Sequence, residues 1–339
     1  YFDFEIILMK PFITAIFLFA FIFAENGYLA NTIKVGFWNV ENLFDLENDP
    51  SINDDEFATG GRKNVTEEIY NLKLKQLSEV LDKMQADVLG LCEVENRFVL
   101  EELNRTTKTD YTIVHYDSPD NRGIDVALLY NASKFKVTDS TPITVTLPTG
   151  YPTRDILYVR GEMGNNELHL FVNHWPSKYG GAEKTIPLRA AAGKTLRKGI
   201  ENILIKTPNA EIIVMGDLND EPNDPSVQMH LGATMNLEEI GSQNKILWNV
   251  MEPWHRNENG STYKYAGKDM VYDHLIISLG LTDNFGLSLV ENSVNIFDGE
   301  NYRQHGGKYD GYPFRFWAGK RLLGGYSDHM PIFLVVEAK

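Results

Sequence analysis

The sequence predicts an α/β fold built as one long domain, and three observations predict it. Short apolar runs read as strands; Val88 to Leu91 and Ile212 to Met215 are nearly continuous, as in strands covered on both faces. Amphipathic segments, Thr66 to Met84 and Lys184 to Lys206, lie between such runs. With 339 residues and 43% apolar content the chain can bury a large core, and its notable polar residues are interleaved along the whole length.

The central stretch is Ile212-Ile213-Val214-Met215-Gly216-Asp217-Leu218-Asn219. An apolar run stops at Gly and releases an acid and an amide two residues apart, which point the same way on an extended chain. Alone, Gly-Asp is ordinary turn chemistry. Its weight comes from other strands that end alike.

Taken in order, Thr32 to Trp38 alternates into a strand that releases Asn39 and Glu41. Residues 46–63 are acidic and Gly-bearing, an exposed loop. Thr66 is placed to cap the helix through Met84. Ala86 to Val94 delivers Glu93, a carboxylate costly to bury unless paired or bound to metal; Glu95, two residues on, reads as a solvated loop acid. A helix over Leu100 to Thr106 and a short strand over Tyr111 to His115 follow. Arg122 and Asp125 flank the next strand, as an ion pair or as substrate contacts. Strands over Phe135 to Leu147 and Thr153 to Gly161 follow, the second with Arg154 at its start. Leu168 to Val172 ends in Asn173-His174. After the helix at Lys184 to Lys206 and the strand at Ile212, residues 228–246 read as helical or irregular, and Ser261 to Lys264 as a strand. Met270 to Ser278 is a strand with Asp273 near its start. Residues 279–325 interleave aromatic and basic side chains, which suits either base stacking or a self-packed loop. Ser327-Asp328-His329 then precedes the terminal strand.

Residues 1–30 read as a signal peptide with an upstream extension: Met9-Lys10, then Pro11 to Ala24 without a charge. That apolar run is short for a membrane span. The expectation is a secreted or periplasmic catalytic domain over residues 31–339, monomeric, with no stable membrane association after signal cleavage. The net charge of −15 disfavours passive binding to a polyanion, although a divalent metal can supply local positive charge. The single Cys92 excludes a disulfide framework and a Cys-cluster zinc site.

The acids are Glu41, Glu93, Asp217, Asp273 and Asp328, the imidazoles His174 and His329, accompanied by Asn39, Asn219 and Arg154. Neither H-E-x-x-H nor a phosphate-binding Gly loop nor a serine elbow is present. Carboxylates with amides suit Mg²⁺, with Mn²⁺ or Ca²⁺ as alternatives. The set suits phosphoester hydrolysis: metal neutralises phosphate, donors brace its charge and a His–carboxylate pair moves protons.

The ordered motifs FWNVEN, LGLCEVEN, RGIDVALLY, FVNHWPS, VMGDLNDEP, VYDHLIIS and YSDHMPIF resemble the endonuclease/exonuclease/phosphatase superfamily over about Ile33 to Val336. The resemblance implies a four-layer α/β sandwich (DNase I-like): two mixed β-sheets face to face, flanked by helices. It implies Glu93 as metal ligand, assisted by Glu41 and with Asp328 near the metal. Asn39, Asn219 and Arg154 match phosphate contacts. Asp217 matches the acid that orients or activates water, and Asp273 the partner of the final His. His329 matches a general base or phosphate ligand, and His174 a phosphate ligand or general acid. Abasic-site members typically lack a His at that position, which points away from their specificity. The insertion at residues 279–325 also departs from the compact members.

The resulting expectation is a secreted, Mg²⁺-dependent phosphodiesterase, a DNase I-like endonuclease on nucleic acid. The alternative keeps the chemistry on a phospholipid or on an inositol or sugar phosphate. A non-catalytic binding protein would have lost one of Glu93, Asp217, Asp273 or His329, and none is lost.

Overall fold

The computed structural model describes residues 31–241, 245–256 and 260–339. The expected export segment, residues 1–30, lies outside the described residues. Local chemistry sets the helices where the spacing predicts them. Thr66, extended at φ −106°, accepts from the backbone of Ile69 and opens α1 (Glu67–Met84), which closes at Gln85 in the left-handed region. Asn96 caps α2 (Arg97–Thr106) the same way through Val99. The long third helix, α3, spans Ala182–Leu204.

The first sheet contains β1 (Thr32–Leu43), β2 (Val88–Val94), β3 (Thr112–His115) and β4 (Asp125–Tyr130). The second begins with β5 (Lys136–Ile143), β6 (Ile156–Met163), β7 (Asn166–His174) and β8 (Ile212–Asp217), and adds β9 (Ala233–Thr234) and β10 (Leu247–Asn249). A small hairpin, β11 (Tyr263–Tyr265) and β12 (Lys268–Met270), precedes β13 (Asp273–Ile277) in the second sheet. The chain then returns to the first sheet with β14 (Leu287–Leu289) and β15 (Asn295–Ile296), forms the hairpin β16 (Trp317–Ala318) and β17 (Arg321–Leu322), and ends in β18 (Ile332–Ala338). The strand orders are β14-β18-β1-β2-β4-β3, with β15 on β18, and β5-β6-β7-β8-β13-β10-β9.

Both sheets are mixed. The pairs β1–β2 and β7–β8 are parallel, each joined by a helical crossover, α1 or α3, and β13 and β18 lie antiparallel beside them. Alternation sorts the second sheet into two layers. Leu170, Val172, Ile213, Met215, Leu275 and Ile277 join the core between the sheets, while Phe171, Ile212, Val214 and Ile276 pack with Leu196 and Ile200 of α3. On the far side, α1 and α2 add Leu74, Leu77, Leu81, Leu100 and Leu103 to the first sheet. The result is the four-layer sandwich. Gly90 marks a close approach of the sheets: a Cβ there would sit 2.7 Å from Met215 Sδ and 3.1 Å from a Val172 methyl.

Three readings change. β1 continues beyond Trp38 to Leu43, because pairing with β2 resumes past a bulge. Glu95 is not a solvated acid but 6% exposed, accepting from the backbone N–H of Asp45 at 2.7 Å. Arg122 and Asp125 do not pair with each other: Asp125 holds His115 and Ser118, and Arg122 approaches Asp120. The insertion takes the self-packed form. Tyr302, Phe316 and Trp317 are buried, and Tyr302 stands edge-on to Tyr326 at 4.9 Å. Arg303 is spent on Asp298 and two carbonyls.

Candidate active site

The parallel pairs put the C-terminal ends of β1, β2, β7 and β8 on one rim. The antiparallel strands β13 and β18 begin there, with Asp273 opposite Asp217 in register. Bulges on β1 and β2 re-aim the chain, between Asn39 and Leu43 and between Cys92 and Val94. Glu41, Asn42, Glu93 and Asn219 accordingly sit at φ of 54°, 57°, 62° and 51°, a region side chains enter only at a cost. The strain falls where polar groups must turn into the rim.

Asp217 is the centre. Its Oδ2 accepts from Asn39 Nδ2 at 3.1 Å and lies 3.7 Å from both His174 Nε2 and His329 Nε2. Its Oδ1 accepts from the Asn219 backbone at 2.9 Å. Burial pushes this carboxyl up, His329 pulls it back and Asp273 adds to the rise, leaving it at about 7. His329 Nδ1 lies 2.7 Å from Asp273 Oδ2, and the Tyr263 ring stacks on the imidazole at 4.6 Å. Burial alone would lower the His329 pKa, but the Asp273 and Asp217 carboxylates outweigh it and raise it to about 10. The loop under it is fixed by Trp38 Nε1, which donates to the His329 carbonyl, and by Ser327 Oγ, which donates to the Asn39 carbonyl at 2.6 Å.

His174 is held neutral: burial, then the positive charges of Arg154 and Arg122, put its pKa well below the ordinary imidazole value. Its Nε2 stands 3.9 Å from Glu93 Oε1. Glu93 is oriented by the Asn42 backbone N–H, which donates to Oε2 at 3.0 Å.

The structure thus brings Asn39, Glu93, His174, Asp217, Asp273 and His329 together, and places four other expected residues differently. Glu41 faces the insertion, where its oxygens accept from the backbones of Phe316 at 2.6 Å and Trp317 at 2.9 Å. Asp328 pairs with Arg315 at 2.7 Å. The ligand atoms of Asp217, Asp273 and His329 all lie within 4.8 Å of one another, and Glu41, Asp328 and Glu93 lie outside that group. Asn219 donates its side-chain amide to the Trp175 carbonyl at 3.0 Å. Arg154 is 8% exposed and all three guanidinium nitrogens are committed: to the His174 carbonyl at 3.2 Å, the Trp175 carbonyl at 2.7 Å and Asp120 at 2.9 Å. The expectation of a phosphate contact at Arg154 is therefore corrected. Its fork braces the end of β7 that carries His174 by donating to two successive carbonyls.

Replacing Arg154 with Ala removes the close partner of buried Asp120 and leaves it only Arg122 at 3.7 Å, and should cost about 3 kcal/mol in a urea titration. Arg154→Lys, which keeps the charge without the fork, should fall between the two.

Sequence reasoning missed Asn42, Asp120, Thr262 and Tyr263. Thr262 and Tyr263 left a trace, in the strand expected over Ser261 to Lys264. Thr262 Oγ1 accepts from the Asp273 backbone at 3.1 Å. The donor set fits a divalent cation. Asp217 and Asp273 flank the His329 imidazolium while Glu93 faces neutral His174, the donors are mostly oxygen, and buried Asp273 Oδ1 has no partner.

The chain matches the endonuclease/exonuclease/phosphatase family over residues 34–338 and belongs to it. It is a phosphoesterase of a class generally dependent on a divalent metal. Among solved structures, truncated Caenorhabditis elegans TDP2 superposes with TM-score 0.55 at 18% identity, over 91% of this chain and 98% of that one. The human Nocturnin catalytic domain with bound sulfate gives 0.53 at 18%, over 91% and 95%. The Bacteroides thetaiotaomicron mannosyl-6-phosphatase gives 0.57 at 13%, over 90% and 99%. At these identities the likeness speaks for the fold alone. No protein of curated function matches the chain.

Proposed function

We propose that this chain hydrolyses the phosphate ester of a small, hydroxyl-rich substrate, a sugar or inositol phosphate, with Mg²⁺ as the working cation. One observation carries the substrate class. A cavity of about 490 Å³ adjoins the site, lined by Asn42, Asn53, Asp55, Arg62 and Arg122 against the stacked rings of Phe44 and Phe57. Asn42 is the residue whose backbone orients Glu93. The volume suits a small ligand, and amides, carboxylates and guanidinium groups are the partners hydroxyls and phosphate require. An endonuclease needs a cationic track for a polymer. Of the cations near the site's loops, Lys178 is committed to Asp220, Arg154 to Asp120 and Arg315 to Asp328, and Arg122, half exposed at the cavity wall, is a local cation rather than a track. Nucleic acid therefore becomes the second choice.

In this reading Glu93 and Asn39 hold the cation, which when bound neutralises the phosphate and the leaving oxygen. Asp217, with its pKa near neutrality, accepts the proton of the attacking water. His329, kept protonated by Asp273, donates to a phosphate oxygen, and neutral His174 offers a second donor from the opposite side. Asn219 retains a second amide hydrogen for phosphate. Export, resting on Met9-Lys10 and the uncharged run after Pro11, is part of the proposal, and N-terminal sequencing of secreted protein tests it.

The deciding experiment is a panel with Mg²⁺: phosphate release from hexose and inositol phosphates, nicking of plasmid DNA, and phosphocholine release from sphingomyelin. The sugar or inositol esters should lead in kcat/KM by a factor on the order of 10². Plasmid or sphingomyelin in first place would overturn the substrate class.

A further inference from the structure

We propose a second ligand site on the outer face of the second sheet, a pocket for a small organic monocarboxylate with an apolar body, held between Arg160 and Lys206. The pocket is a cavity of about 350 Å³ between the C-terminal half of α3 and strands β6 and β7. Its floor is apolar: Ile143, Phe171 and Ile203 line it, with the Tyr158 ring 5.1 Å from that of Phe171. Gly199 of α3 keeps the space open. A Cβ there would stand 3.4 Å from the Phe171 ring and 3.5 Å from an Ile143 methyl, so a longer side chain would occupy the pocket. The pocket lies away from the phosphate site and does not depend on the substrate proposed above. His169, in its wall, precedes His174 on β7 by a stretch of about 17 Å.

Hydrogen bonding leaves the positive groups of this pocket over. Tyr158 Oη lies 2.8 Å from His169 Nδ1, and His169 Nε2 lies 3.1 Å from Glu167 Oε1. A carboxylate can only accept, so Nε2 carries the ring proton and the Tyr158 hydroxyl donates to Nδ1. Burial lowers the His169 pKa, which keeps the ring in that neutral form. The Tyr158 proton and one Glu167 oxygen are thereby used. The cations are not. The carboxylates of Glu167 and Asp139 stand 3.7 Å and 3.8 Å from the Arg160 guanidinium, beyond hydrogen-bond distance, and Arg160 Nε has no partner. Lys206, exposed at the mouth, has no ion-pair partner among the described residues. Two loosely held cations over an apolar floor fit an anion with an apolar body, since charge-assisted bonds are the strong ones. One negative charge suits the place better than two. The last turn of α3 borders the pocket with its partial negative end, and Glu167 adds its own charge, so a phosphate dianion is repelled where a carboxylate is tolerated.

The test is calorimetric titration of the full chain with sodium benzoate, in chelator so that no carboxylate binds through a cation at the phosphate site. Benzyl alcohol serves as the uncharged control of similar shape. Wild type should bind benzoate with a Kd on the order of 1 mM, and benzyl alcohol roughly tenfold more weakly or worse. Lys206→Gln and Arg160→Gln should each weaken benzoate by roughly tenfold. Gly199→Leu should fill the pocket and abolish binding, with a urea midpoint no lower than that of wild type, since Leu is the better helix former. Failure of benzoate to bind wild type, retention of wild-type affinity in Gly199→Leu, or equal affinity for benzyl alcohol would overturn the proposal. Should Gly199→Leu fail to fold, the exposed Lys206→Gln decides: unchanged benzoate affinity there overturns it as well.

Discussion

His329→Gln is expected to lower kcat by roughly 10³–10⁴ with a much smaller change in KM. The imidazolium is held from one side by Asp273 at 2.7 Å and faces Asp217 at 3.7 Å from the other, so its charge lies where negative charge gathers on the phosphate. Glutamine can offer an amide donor but no charge, and cannot satisfy Asp273, whose second oxygen already lacks a partner. Asp273→Asn should reproduce most of the loss by taking away the counter-charge. Stability carries a separate signature. The folded-state pKa of His329 is raised from 6.5 to about 10. The pair therefore contributes fully below about pH 6.5 and loses its contribution as pH rises through about 10. In chelator, the gap in melting temperature between wild type and His329→Gln should shrink across that window. A gap that widened with pH would mean that the imidazole is not held charged.

The strand skeleton was legible because apolar runs, caps and crossovers act locally. Thr66, Asn96 and the run from Ile212 to Met215 state their roles within a few residues. The strand-end polar residues were legible as a set because one topology brings them to one rim. What stayed hidden depends on bulges and on distant partners. Left-handed backbone at Glu41 and Glu93 leaves no mark in a sequence, since neither is Gly, and the backbone donors each carboxylate meets decide that Glu93 enters the site while Glu41 turns to the insertion. Arg154 looked like a phosphate contact because its real partners, the His174 and Trp175 carbonyls, lie on another strand's exit. Tyr302, Phe316 and Trp317 could equally have stacked bases; only their burial in the core, with Tyr302 against Tyr326, assigns them to it.

Glu93→Gln should abolish turnover by a factor on the order of 10³ or more while making the metal-free protein more stable. Glu93, Asp217 and Asp273 crowd three carboxylates around His329 and His174, and His174 is neutral. Without a cation this excess of negative charge is a liability, and removing one charge relieves it. Glutamine keeps the volume and can still accept from the Asn42 backbone at its amide oxygen, so the bulge need not move. The φ of 62° is retained, and the gain measured is electrostatic rather than relief of backbone strain. Thermal melts in chelator should place the variant a few degrees above wild type, and added Mg²⁺ should reverse the order, since only the wild type gains from the cation. A variant less stable than wild type in chelator would mean that Glu93 is a structural acid satisfied by its own hydrogen bonds, and that the cation is held elsewhere on the rim.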